Sequence, residues 1–213
     1  MRYYFYFSIP VLHQALSLWA LLMIFIVPTL CWRGRKLPTR RLLRRIAATS
    51  VLVLYATGVI AYTFLPLPDQ DTFICPDGWG NTYPRFYLGW SLQFAIAAND
   101  GLLGALFSTY MLQMLLNVLL FLPFGFLARW RWGASFRTVM FSAFSASLTI
   151  ELTQVTGIWG YYDCAIRTFD AEDIFNNTLG ALIGWSALAA WQHRHTLPRH
   201  LRHLFGRQGT TGP

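Results

Sequence analysis

Charge is scarce in this chain. Only 12% of its 213 residues are Asp, Glu, Lys or Arg, against about 25% in soluble domains. Carboxylates are the scarcer sign, nine against seventeen Lys and Arg. Such a composition cannot cover a water-exposed surface and points to lipid as the solvent. Cysteine is rare too, at three residues, and none has the paired spacing that holds zinc. No metal and no cofactor is therefore expected. Repeats, low-complexity tracts and a second domain are also missing from the pattern. The opening apolar run is too long for a cleaved secretory signal and ends in arginines.

What remains is apolar, at 55% of residues, gathered in runs that reach the ~18 residues a membrane-crossing helix needs. The expected fold is all-α: a polytopic membrane protein with five transmembrane helices, at about 10–32, 46–65, 106–128, 138–158 and 173–191. These form a single domain over 1–205, followed by a disordered cytoplasmic tail at 206–213. Fourteen of the seventeen basic residues fall in three clusters, Arg33 to Arg45, Arg129 to Arg137 and Arg194 to Arg207. No carboxylate lies within them. The acids occupy the alternate connections, Glu151 excepted. This alternation predicts basic loops inside, with the N-terminus outside and the C-terminus cytoplasmic. The basic loops suit anionic headgroups; no motif supports nucleic-acid binding.

The longest outer connection is 67–105. Within it Phe86 to Ala98 is apolar but too short to span, and reads as an interfacial or re-entrant helix, closed by a turn at Asn99-Asp100-Gly101. Cys75 and Cys164 both fall in outer connections, where a disulfide can form; two free thiols are the other reading. Cys31 lies on the inner side. Pro123 with Gly125 predicts a kink in the third span.

Polar residues within the apolar runs mark the candidate site. Glu151 lies 14 residues beyond Arg137, so ~21 Å into a ~30 Å hydrocarbon core. An ionisable group at that depth is costly and usually functional. Ser147 and Gln154 share its helical face. Asn117 lies ~18 Å from Arg129. Asp173 and Asn177 open the fifth span, and Tyr62 closes the second. All of these fall in one outward slab, where an open cavity would house them. Gly180 and Gly184 continue the Asp173–Asn177 stripe with the spacing that lets another helix approach closely. Arg167, with Asp170 and Asp173 nearby, reads either as a structural ion pair or as an anion clamp. Glu151 reads either as a buried acid satisfied by Gln154, Asn117 or Arg167, or as a ligand contact, proton site or general base.

Asn117 through Pro123-Phe-Gly125, then Glu151-Leu-Thr-Gln154, then Arg167-x-x-Asp170-x-x-Asp173-x-x-x-Asn177-Thr-Leu-Gly180, with Tyr62-Thr63 before Pro66, resemble the VanZ-like family. The resemblance implies a bacterial inner-membrane protein of the cell envelope, in a family associated with resistance to teicoplanin. The site residues expected to contact a ligand are Tyr62, Asn117, Glu151, Gln154, Arg167, Asp170, Asp173 and Asn177. Three functions stay open. One is binding or handling an amphiphilic envelope molecule, a lipoglycopeptide or lipid-linked precursor. Another is an intramembrane lipid-modifying enzyme with Glu151 or Asp173 as general base. The third is a transporter or assembly partner. Expected partners are a membrane lipid or lipid-linked molecule, with a second copy of the chain as an open alternative.

Overall fold

The structure, a computed structural model, describes residues 2–65, 67–70, 73, 75, 84–99 and 102–205. Pro66, the turn at Asp100 and Gly101, and the tail 206–213 lie outside these residues. The described chain is helical, in the order α1 (Arg2–Arg33), α2 (Thr39–Phe64), α3 (Trp90–Ala97), α4 (Leu102–Leu106), α5 (Thr109–Trp132), α6 (Phe136–Val155), α7 (Gly157–Gly160) and α8 (Ala171–Phe205). Three stretches are long and apolar enough to cross a membrane: Ile9–Arg33, Thr39–Phe64 and Thr109–Trp132. α6 is not among them; its Ser, Thr, Gln and Glu151 lower its hydropathy. The chain divides into two compact units, Met1–Ile74 and Cys75–Pro213.

The first unit is the α1–α2 hairpin. α1 leaves large apolar side chains such as Ile24 and Phe25 about two-thirds exposed, as expected of a helix solvated by lipid. The connection is shorter than the basic cluster suggests, because Arg40, Arg41, Arg44 and Arg45 already belong to α2. Gly34 is required in the turn: a Cβ there would lie 2.8 Å from the Leu30 carbonyl oxygen and 2.7 Å from Leu42 Cδ1. Val11, Ala15 and Ala61 form the hairpin core, and Trp19 Nε1 donates to the Ser50 carbonyl at 3.2 Å. The buried hydroxyls of Thr57 and Thr63 turn back to the Leu54 and Val59 carbonyls.

The second unit is built on α5 and α8. Glycines bring their backbones together. A Cβ on Gly125 would stand 1.9 Å from the Ala181 carbonyl oxygen, one on Gly180 2.1 Å from that of Val118, and one on Gly184 2.0 Å from that of Leu122. α6 packs on this pair through one face. Val139, Ala143, Ser147, Glu151 and Gln154 are all buried, at the three- and four-residue spacing of a helical stripe. Phe121, Val139, Ala143 and Ala181 make the apolar core. Pro123 stands inside an unbroken α5. α5 begins at Thr109 rather than near 106, because Ser108 caps it, accepting the Met111 N–H at 3.3 Å. At the basic end Arg129 stacks over the Trp185 ring at 4.5 Å and donates to Gln192 Oε1 at 2.9 Å.

α6 stops at Val155, three residues before the expected end of the span. Gly157, Ile158, Trp159 and Gly160 follow at φ of 61°, 56°, 57° and 86°, one left-handed turn. Such backbone costs about 1–2 kcal/mol per non-glycine residue. Gly157 is required in it: a Cβ would lie 2.5 Å from the carbonyl oxygens of both Tyr162 and Cys164. Cys164 is disulfide-bonded to Cys75.

Candidate functional site

The polar residues converge at the end of the second unit where α8 begins and the chain from α6 turns round. Asp170, just before α8, is the centre. Its Oδ1 accepts the Glu172 N–H at 2.9 Å, capping the helix. Its own N–H donates to Glu151 Oε2 at 2.8 Å. Glu151 thus accepts a backbone amide across the α6–α8 gap.

The third element is the segment 84–99, which docks on the start of α8. Arg85 and Asp170 form a parallel β-bridge: the Arg85 N–H donates to the Phe169 carbonyl at 2.9 Å, and the Ala171 N–H to the Arg85 carbonyl at 2.8 Å. The Arg85 guanidinium pairs with Asp170 Oδ2 at 3.4 Å and lies 3.8 Å from the centre of the Trp90 ring. α3 is shorter than the apolar run 86–98, since residues 84–89 are spent on this pairing and on Gly89, whose φ of 94° sets the turn into the helix. Glu172 then closes the α3 N-terminus, accepting the Gly89 and Ser91 N–H groups, each at 3.0 Å. A buried carboxylate on unpaired helix amides is a favourable use of charge.

The ion pair at Asp170 is therefore made by Arg85. Arg167 is exposed and, among the described residues, has no carboxylate within 4.0 Å. Burial pushes the Asp170 carboxyl above the usual carboxylate value, while the Glu172 N–H and the Arg85 charge pull it back.

Below this layer Asn117 of α5 donates its amide to Asp173 Oδ1, and Asn177 donates to the Ser147 hydroxyl at 2.8 Å. Asn176 and Asn177 are both buried, with Asn176 Nδ2 and Asn177 Oδ1 unsatisfied. Among the described residues no group of three His, Cys, Asp or Glu side chains could hold a metal ion.

A cavity of about 360 Å³ opens beside these contacts. Arg85, Trp90 and Ser91 wall one side; Tyr110 and Gln113 of α5 another; Gln154, Arg167, Thr168, Asp170 and Asp173 complete it. Of the sequence-predicted residues, Gln154, Arg167, Asp170 and Asp173 line the cavity. Asn117 and Glu151 stand behind the wall, bonded to Asp173 and Asp170, and Asn177 lies deeper, on Ser147. Tyr62 belongs to α2 of the first unit, half-buried there. Arg85, Trp90, Tyr110, Gln113 and Glu172 were not among the predicted residues. Arg85 carried one available signal: with Arg2 and Arg167 it is one of only three basic residues outside the clusters.

A family model described as VanZ/LLP1 matches residues 52–192, roughly two thirds of the chain. The chain belongs to the VanZ/LLP1 family. No curated protein and no solved structure matches it. The VanZ/LLP1 match runs through the connection 67–105 and so takes in Arg85 and the α3 segment along with every predicted site residue. α1 lies outside it.

Proposed function

We infer that this VanZ/LLP1 protein binds the polar head of an amphiphilic envelope molecule in the cavity at the start of α8, with the molecule's chain in the surrounding lipid. The reading includes five spans, α6 and α8 joining the three apolar helices, with the basic ends cytoplasmic and the cavity facing outward in the bacterial inner membrane. A part in glycopeptide resistance belongs to the same proposal.

The observation that carries it is a cavity walled almost wholly by polar groups in a chain otherwise built for lipid, with one arginine, Arg167, left without an ion-pair partner among the described residues. A guanidinium fits a phosphate or carboxylate. A volume near 360 Å³ is at the low end for ligand sites. It suits a headgroup rather than a whole glycopeptide, which favours a lipid-linked molecule. For the enzymatic alternative, Asp173 is the better-placed base, since Glu151 does not line the cavity.

The test uses purified protein in neutral nanodiscs, titrated with a polyprenyl-phosphate-linked precursor and with a lipoglycopeptide. Binding that Arg167→Gln weakens about tenfold supports the reading. No binding of either ligand rejects it. Binding retained by Asp173→Asn while turnover of the bound lipid is lost would move the assignment to the enzyme.

A further inference from the structure

The charged groups facing the cavity divide into a matched pair and two unmatched ones. Arg85 and Asp170 neutralise each other at 3.4 Å, and Asp170 also holds the Glu172 N–H. Arg167 and Asp173 remain. Asp173 is contacted by the neutral side-chain amides of Asn117 and Gln113. It feels the Arg167 charge, but among the described residues no cation lies within 4.0 Å of it. One cation and one anion thus share a small cavity without a direct ion pair.

A simple anion on Arg167 would leave Asp173 uncompensated. A simple cation on Asp173 would leave Arg167 uncompensated. Like charges that share a cavity repel, the more strongly where they are buried, as Asp170 is. A ligand carrying both signs satisfies both residues. Resting on the binding reading above, we propose that the cavity takes a zwitterionic headgroup, with a phosphate on Arg167 and a primary ammonium on Asp173, as in an aminophospholipid.

The aromatic wall sharpens the choice of amine. Quaternary ammonium groups are bound on open aromatic faces. Both wall aromatics are already engaged: Arg85 lies over Trp90 at 3.8 Å, Phe94 is stacked on that ring at 4.2 Å between centroids, and Tyr110 packs against Trp90 and Phe94 at 5.8 and 6.2 Å. The amine must instead be taken by hydrogen bonds to the Asp173 carboxylate. A primary ammonium has three donors to give and a trimethylammonium has none. The site therefore selects ethanolamine-type over choline-type heads.

The experiment is calorimetric titration of the full chain in a neutral maltoside micelle. The ligands are dihexanoyl phosphatidylethanolamine, its N-acetylated form, and dihexanoyl phosphatidylcholine. Glycerophosphoethanolamine and glycerophosphocholine test whether the head alone suffices. The expected result is at least tenfold tighter binding of the free-amine lipid than of the other two lipids. The same order between the two chainless heads places the preference in the head; a preference seen only with the lipids places it in a membrane-borne head. Asp173→Asn, checked by unchanged gel-filtration behaviour, should erase the preference, and Arg167→Gln should weaken the free-amine lipid about tenfold. The wild-type ligand series needs no variant to fold. Equal binding of the acetylated or choline lipid overturns the zwitterion proposal while leaving a polar-head site intact. Absence of all five ligands, with the lipid-linked phosphate still bound in nanodiscs, also overturns it. Failure of every ligand in both assays removes the underlying binding reading.

Discussion

Substituting Gly180 by alanine tests how the site is supported. The added Cβ would lie 2.1 Å from the Val118 carbonyl oxygen, where ordinary contact begins near 3.4 Å. The obstacle is backbone, so no side-chain rotation relieves it; α5 and α8 must separate by about 1.3 Å locally or tilt. Overpacking of a fitted interior costs about 1–3 kcal/mol, and a backbone obstacle belongs at the upper end, so about 3 kcal/mol of lost stability is expected. Val118 follows Asn117, whose amide holds Asp173. The separation should therefore also loosen the cavity wall and weaken ligand binding. The assay is denaturant-titrated unfolding of detergent-solubilised protein, followed by the headgroup titration on the folded fraction. Gly58→Ala in α2 is the control, because a Cβ there meets nothing within 4 Å. It should be neutral or stabilise by up to about 1 kcal/mol. A Gly180→Ala protein within about 0.5 kcal/mol of wild type would refute the backbone-contact argument, since surface-like substitutions fall in that range.

Three other perturbations follow from the contacts at the start of α8. Asp170 has a folded-state pKa above its ordinary value of 3.8. The folded state thus holds its proton to higher pH than the unfolded chain, and the Asp170 contribution to stability must fall as pH rises from about 3.8 through the raised value. The unfolding midpoint of wild type relative to Asp170→Asn should decline over that window; a flat difference would contradict it. Arg85→Gln removes the group that pulls Asp170 back, so it should deepen that decline and cost about 1–3 kcal/mol, moderated because a third of the Arg85 side chain is exposed. Glu172→Ala deprives the Gly89 and Ser91 amides of their acceptor. A loss of about 1–2 kcal/mol is expected, read as faster hydrogen exchange across 89–97 with α5 unchanged; uniform acceleration would count against a local cap. Finally, mass spectrometry of alkylated, unreduced protein should label Cys31 only. Reduction should then lower stability by up to about 4–5 kcal/mol, the chain-entropy value for a closed loop with a separation of 89 residues. Labelling of Cys75 and Cys164 without reductant would reject the bond.

Helical periodicity made part of the site legible in advance. Ser147, Glu151 and Gln154 share a face because of their spacing alone, and the Asp173–Asn177–Gly180–Gly184 stripe predicted both the polar start and the close packing of α8. Depth counted from the arginine cluster put Asn117 in the same outward slab as Asp173, and the two do touch. The contacts that escaped have no period behind them. The pairing of Arg85 with Asp170 depends on a β-bridge between residues 85 apart, and the Glu172 carboxylate caps a helix from another element. Neither leaves a local pattern. Of the two readings of Arg167, the ion pair rested on the nearness of Asp170 and Asp173 in sequence; Arg85, far away in sequence, is the residue paired with Asp170. The early end of α6 had a signal in Thr156-Gly157, a helix-stopping pair, which hydropathy averaging hid.

The walls of the cavity are unequally free to move. On one side two helices meet backbone to backbone, with no flexible side chain between them to absorb a displacement. On the other, residues 84–99 are held by the bridge at Arg85 and through side chains: the Arg85–Asp170 pair, the Glu172 carboxylate, and ring contacts of Phe86 with Phe169 and of Trp90 and Phe94 with Tyr110. An anion that competed with Asp170 for Arg85 would act on the strip and leave the helix pair untouched. The rigid helix pair is the anvil of this site, and the Arg85–Asp170 contact lies on the other wall.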